Sequence, residues 1–103
     1  YDSIKAGKII PVKNPDTIAD GLRTSLGDIT FPVIKQFVKE IITVTEDEII
    51  YAMKLIWERM KIVVEPSSAV AFAALLKNIS GFKNKKIGII VSGGNVDLTH
   101  LPF

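Results

Sequence analysis

Apolar residues along this chain fall into blocks of two kinds, helical and extended, and the two kinds alternate. Val33, Ile34, Phe37 and Val38 recur at helical spacing. They predict a helix from Phe31 to Lys39, with Thr30 as its N-cap and Pro32 tolerated in the first turn. Ile49, Ala52, Met53, Ile56, Trp57 and Met60 form a second stripe, on a helix predicted to run to about Met60. Its start is written in Thr45-Glu46-Asp47-Glu48, a capping box. The Thr45 hydroxyl can accept from the amide of Glu48, and the Glu48 carboxylate can accept from the amide of Thr45. Three acidic residues there also suit the positive end of a helix. Such a stripe is far more often core than a cofactor box. Glu65-Pro66-Ser67-Ser68 opens a further helix, with proline in the first turn. Ala69 to Leu76 is apolar on every side, so this helix is expected to be buried all round.

The extended blocks are Ile9 to Val12, Ile41 to Val44, Ile62 to Val64 and the run 87–91. The last lacks the alternation of a half-exposed strand, so both of its faces should be covered, as in a parallel sheet between helices. Tyr1 to Ala6 reads as the tail of a helix stopped by Gly7. Lys13 to Asp16 and Asn78 to Asn84 read as loops, and Thr17 to Leu22 is ambiguous, since Gly21 and Gly27 disfavour a long helix. The order of elements predicts an α/β fold.

The final strand ends abruptly in Ser92-Gly93-Gly94-Asn95. Ligands of open parallel sheets sit beyond the carboxyl ends of the strands. Two adjacent glycines would let a backbone or a flat ligand come close. Ser92 to Asn95 is therefore the first candidate for a cofactor or substrate site, beside the alternative of an ordinary turn.

Composition sharpens this picture in two places. At 103 residues the chain is one small domain at most. A hydrophobic content of 48% and a mean hydropathy of +0.31 are rich for so short a chain. Small domains bury a smaller fraction of their surface, so the chain should either oligomerise or belong to something larger. It opens on Tyr1-Asp2-Ser3-Ile4-Lys5, without an initiator methionine or a signal-peptide pattern, as the middle of a longer protein would.

Charge changes little. The net charge is +2, and the one basic cluster, Lys83, Lys85 and Lys86, lacks interleaved aromatics and reads as a solvated loop rather than a nucleic-acid surface. With no cysteine there is no disulfide, no thiolate catalysis and no cysteine-bound metal, which fits an intracellular, cytoplasmic protein. No apolar run has the length of a membrane span. Asp2, Asp16, Asp20 and Asp28 lack the spacing of a metal cluster, and His100, the sole histidine, reads as a surface residue.

Three separated segments together resemble one family. They are Thr17-Ile18-Ala19-Asp20-Gly21, Val63-Val64-Glu65-Pro66-Ser67-Ser68-Ala69 and Val91-Ser92-Gly93-Gly94-Asn95-Val96-Asp97-Leu98, with Thr43 to Ile49 between the first two. The set resembles the C-terminal part of the serine racemase and threonine dehydratase family of pyridoxal-phosphate enzymes. Trp57-Glu58-Arg59-Met60-Lys61 leans toward the racemases. The resemblance covers nearly all of the chain. It implies that residues 1–103 are the C-terminal part of the large domain of a fold-type-II enzyme, a three-layer α/β/α arrangement with a mostly parallel sheet.

It further implies that Ser92 hydrogen-bonds the pyridine nitrogen of the cofactor. A hydroxyl can donate to an unprotonated ring nitrogen, whereas a carboxylate would favour the protonated ring. Gly93 and Gly94 would flank that contact, and Gly21 would lie along the cofactor face unless it is a simple turn. Glu65 is either a pocket carboxylate or a helix-start residue favoured by the dipole. Asn95, expected to order the loop through its side chain, would share a nucleotide (ATP) effector site with Lys61 between the subunits of a homodimer. Lys61 can equally be a cationic C-cap. The Schiff-base lysine, the phosphate-binding glycine loop and the carboxylates for a divalent cation such as Mg2+ would all lie outside this segment. No catalytic residue or metal ligand is therefore assigned within it, and the segment alone should be inactive. The implied activity of the parent is racemisation of serine, β-elimination of serine or threonine to a 2-oxo acid and ammonia, or both. The alternative from another class is a non-catalytic α/β binding or assembly module.

Overall fold

The computed structural model describes residues 1–103, and its helices follow the local signals closely. Helix α1 spans Asp2–Ala6 and stops at Gly7, whose φ of 71° lets its amide donate to the carbonyl of Ile4. Helix α2 spans Thr30–Phe37. Thr30 is not its accepting cap: the hydroxyl instead donates back to the Gly27 carbonyl at 3.1 Å. Helix α3 spans Glu46–Leu55 and starts on the complete capping box. The Thr45 amide donates to Glu48 Oε2 at 2.7 Å and the Glu48 amide to Thr45 Oγ1 at 3.3 Å. The Thr45 amide, followed by the Lys77 ammonium, holds the Glu48 carboxyl below its ordinary pKa.

Past Leu55 the backbone widens into one π turn, Ile56–Met60, closed by Lys61 at φ 59°. That extra residue per turn rotates the end of the stripe. Ile56 stays buried, but Met60 is 60% exposed and leaves the core, contrary to the regular helical spacing. Trp57 is fixed on the flank of the core. Its Nε1 donates to the Val64 carbonyl at 3.0 Å, and its ring meets Phe103 edge-on.

Helix α4, Pro66–Lys77, packs against α3. Ile49, Ala52, Met53 and Ile56 of α3 meet Ala69 and Ala73 of α4, with Ala19 and Val64 closing the cluster. Small residues on α4 let the two backbones approach. The helix is not buried all round. Its other side, with Ala71, Ala74 and Leu75, lines an open apolar groove with Ile42, Phe82 and Ile89.

The extended blocks form no strand ladder. A helix completes its hydrogen bonds within itself, whereas a strand exists only against a partner. One rung is present, from the Glu65 amide to the Gly93 carbonyl at 3.0 Å. The run 87–91 is also uncovered rather than buried: Ile90 is 84% exposed. The molecule is a slab of 39 × 37 × 20 Å. Its accessible surface is 7806 Å², against about 5,700 Å² for a self-contained folded monomer of this mass. The excess is the size of a large protein interface. No helix is long and apolar enough to cross a membrane.

Candidate functional site

The first turn of α4 is where the candidate residues converge. Pro66 places the helix start, so residues 65 to 68 present side chains in the turn where backbone amides lack helical partners. Ser67 faces the short 3-10 turn Asp20–Leu22. Its Oγ accepts from the Gly21 amide at 3.0 Å. A Cβ on Gly21 would stand 3.0 Å from that oxygen, so Gly21 is the residue that lets this turn lie against α4.

Ser68 faces the other way and is 2% exposed. Its Oγ accepts from the Gly93 amide at 2.6 Å, donates to the Gly93 carbonyl at 2.7 Å and lies 3.1 Å from Ser92 Oγ. Glu65 completes the clasp. Its amide bonds the Gly93 carbonyl, and its Oε2 accepts from the Asn95 amide at 3.0 Å. Glu65 stands at the N-cap position without capping the helix with its side chain. Its carboxylate sits at the positive end of α4 and at the same time holds the Ser92–Asn95 turn.

The two glycines of that turn are required by the protein that packs on it. A Cβ on Gly94 would fall 2.6 Å from the Val63 carbonyl oxygen. One on Gly93 would fall 2.8 Å from Glu65 Oε2. Asn95 orders the loop through its backbone amide, and its side chain makes no hydrogen bond. Lys61 does not join the cluster. It closes the π turn as a left-handed cap, its amide donating to the Trp57 carbonyl. So the structure gathers Gly21, Glu65, Ser92, Gly93, Gly94 and Asn95 around one helical turn and leaves Lys61 outside.

Beside the turn lies a cleft of about 340 Å³ lined by Asp20, Arg23, Asn95, Asp97 and His100 among others. Arg23 is tied to the Thr17 carbonyl through Nε at 2.9 Å. Asp97 accepts from the hydroxyl and amide of Thr99, and Oδ2 lies 3.1 Å from His100 Nδ1. These bonds, the Thr99 hydroxyl first, hold its carboxyl below the ordinary value. No three His, Asp or Glu side chains converge as a metal-binding group.

Sequence reasoning missed Ser67 and Ser68, the two residues that join the separated motifs. The available signal was a pair of hydroxyls at the start of an otherwise apolar helix.

The donor chemistry fits one wall of a pyridoxal-phosphate site. Ser92 is exposed, and its hydroxyl has a single protein partner, Ser68. A hydroxyl offers one proton and two lone pairs, so capacity remains for a ring nitrogen.

Comparison with known proteins agrees with this chemistry. The family model described as pyridoxal-phosphate dependent enzyme matches residues 1–93. Serine racemase from Dictyostelium discoideum is 56% identical over 108 aligned positions, covering 98% of this chain and 32% of the relative. The β-hydroxyaspartate dehydratase of Paracoccus denitrificans is 52% identical over 103 positions, covering 100% of this chain and 33% of the relative. The structure of maize serine racemase superimposes with a TM-score of 0.88 at 48% identity, over 95% of this chain and 32% of that one. The chain thus spans about a third of the length of the relatives it matches. By the family match over residues 1–93 and these identities, this chain belongs to the pyridoxal-phosphate dependent enzymes.

Proposed function

We propose that the full-length parent acts on serine or threonine, racemising serine, eliminating its β-hydroxyl, or both, and that residues 1–103 form the C-terminal part of its large cofactor-binding domain. The observation that carries this reading is the Ser92 hydroxyl, anchored on buried Ser68 and open on its other side. Its support from relatives is the pairing of a serine racemase and a β-hydroxyaspartate dehydratase at similar identity. Both reactions begin by removing the proton on the carbon that carries the amino group. The surface excess and the unpaired extended blocks favour a segment whose sheet is completed elsewhere in the parent, as the three-layer α/β/α arrangement requires.

In this reading Ser92 holds the ring nitrogen as a neutral hydrogen-bond donor. Glu65, Gly93 and Gly94 hold the turn that presents it, and Gly21 lines the adjacent face. The cofactor, when bound, supplies the electron sink that makes the α-proton acidic. A neutral donor leaves that sink weaker than a carboxylate partner would, which suits β-elimination or quick reprotonation over transamination. We also propose a cytoplasmic homodimer, with Lys61 and Asn95 at an ATP effector site. Divalent-cation ligands, for Mg2+ for example, would lie outside this segment. Incubating the full-length parent with L-serine or L-threonine, and assaying D-serine, pyruvate and 2-oxobutyrate separately, tests the activity. Formation of any of these products supports the reading, and formation of none overturns it.

A further inference from the structure

Ser68 is the one buried polar side chain that touches the proposed nitrogen-binding residue, and its hydrogen bonds admit two proton arrangements. Its oxygen faces three groups: the Gly93 amide, the Gly93 carbonyl and Ser92 Oγ, at 2.6, 2.7 and 3.1 Å. The amide can only donate and the carbonyl can only accept. A hydroxyl has one proton. If that proton goes to the Gly93 carbonyl, Ser68 has only a lone pair for Ser92, and the Ser92 proton is drawn to it. Ser92 then faces a ligand as an acceptor. If the proton instead goes to Ser92 Oγ, the Ser92 proton is freed to point outward. The Gly93 carbonyl tolerates that loss because the Glu65 amide also donates to it, at 3.0 Å.

We propose that Ser68 is a positioning residue for the cofactor's ring nitrogen, its hydroxyl turning from the Gly93 carbonyl to Ser92 when an acceptor is present. The resulting chain runs from the Gly93 amide to Ser68, to Ser92 and to the ring nitrogen. Each donor in such a chain is polarised by the one behind it, which strengthens the last bond. Burial of Ser68 keeps water from replacing it. The assignment rests on the reading of Ser92 as the nitrogen's partner and adds to it the group that sets the donor state of Ser92.

The test reconstitutes the full-length parent with pyridoxal phosphate carrying 15N at the ring nitrogen. The 15N chemical shift is compared in wild type, Ser68→Ala, Ser92→Ala and the double variant. Ser68→Ala is expected to move the shift toward that of Ser92→Ala while the cofactor stays bound, as it does in Ser92→Ala. In the Ser92→Ala background it should add no further change in shift. Ser68→Cys, whose thiol is a weak donor of similar shape, should move the shift in the same direction, and serves where alanine yields no holoenzyme. A shift that moves with Ser92→Ala but not with either Ser68 variant overturns the role of Ser68 and leaves Ser92 in place. Equal changes from Ser68→Ala with and without the Ser92 hydroxyl would make Ser68 a packing residue, which also overturns it. A shift unmoved by Ser92→Ala removes the reading of Ser92 itself, and the Ser68 proposal with it.

Discussion

Gly94→Ala in the full-length parent is expected to lower turnover by about a hundredfold, while Gly93→Ala costs clearly less. The difference follows from what each new methyl would meet. At Gly94 it would stand 2.6 Å from the Val63 carbonyl oxygen. That oxygen is backbone, on the segment that leads into α4, so relief requires the whole turn to move. Overpacking of this kind costs about 1–3 kcal/mol, and a displacement of about 1 Å at reacting groups can cost a hundredfold in rate. At Gly93 the methyl meets the Glu65 carboxylate at 2.8 Å. A side chain can turn aside, giving up its bond to the Asn95 amide but leaving the turn in place. Steady-state kinetics of the two variants checks this, and equal losses would mean that Val63 does not fix the turn.

Met53→Ala is expected to be the most destabilising single change in this segment. Met53 is fully buried where α3 meets α4. Its neighbours include Ala52, Ala69 and Ala73, whose short side chains cannot swell into a hole. Large-to-alanine changes at such sites cost about 2–5 kcal/mol, the upper part applying where the site cannot collapse. Denaturant unfolding of the parent variant measures it. A loss of under about 1 kcal/mol would show that the α3–α4 contact is not the core of this region.

What could be read from the sequence was what the chain completes locally. The capping box at Thr45–Glu48, the Gly7 stop and the Pro66 start depend on residues within four positions of one another, and all three are in place. The π turn at Ile56–Met60 carries no comparable signal, and it turned Met60 outward. The extended blocks read as strands from their apolar runs, but no ladder forms among them, since pairing depends on segments that the run itself does not specify. At the site, the motifs were visible as separate strings. Their meeting point was not, because Ser67 and Ser68 act across more than 20 residues through hydroxyls that helix propensity alone places near a cap. The Gly93-Gly94 pair was correctly singled out for a close approach, but the approaching groups are Glu65 and Val63.

Whether Ser92 is the neutral partner of the cofactor's ring nitrogen is decided by turnover and absorbance of the full-length holoenzyme carrying Ser92→Ala or Ser92→Asp. Serine to alanine leaves almost no cavity and removes one donor. A neutral hydrogen bond contributes about 0.5–1.5 kcal/mol, and about 1.4 kcal/mol is tenfold in rate. Ser92→Ala should therefore retain the cofactor while turnover falls on the order of tenfold. Ser92→Asp should shift the absorbance of the working enzyme, because a carboxylate favours the protonated ring. Unchanged turnover and unchanged spectra in both variants would make Ser92 an ordinary turn residue with no part in holding the ring nitrogen.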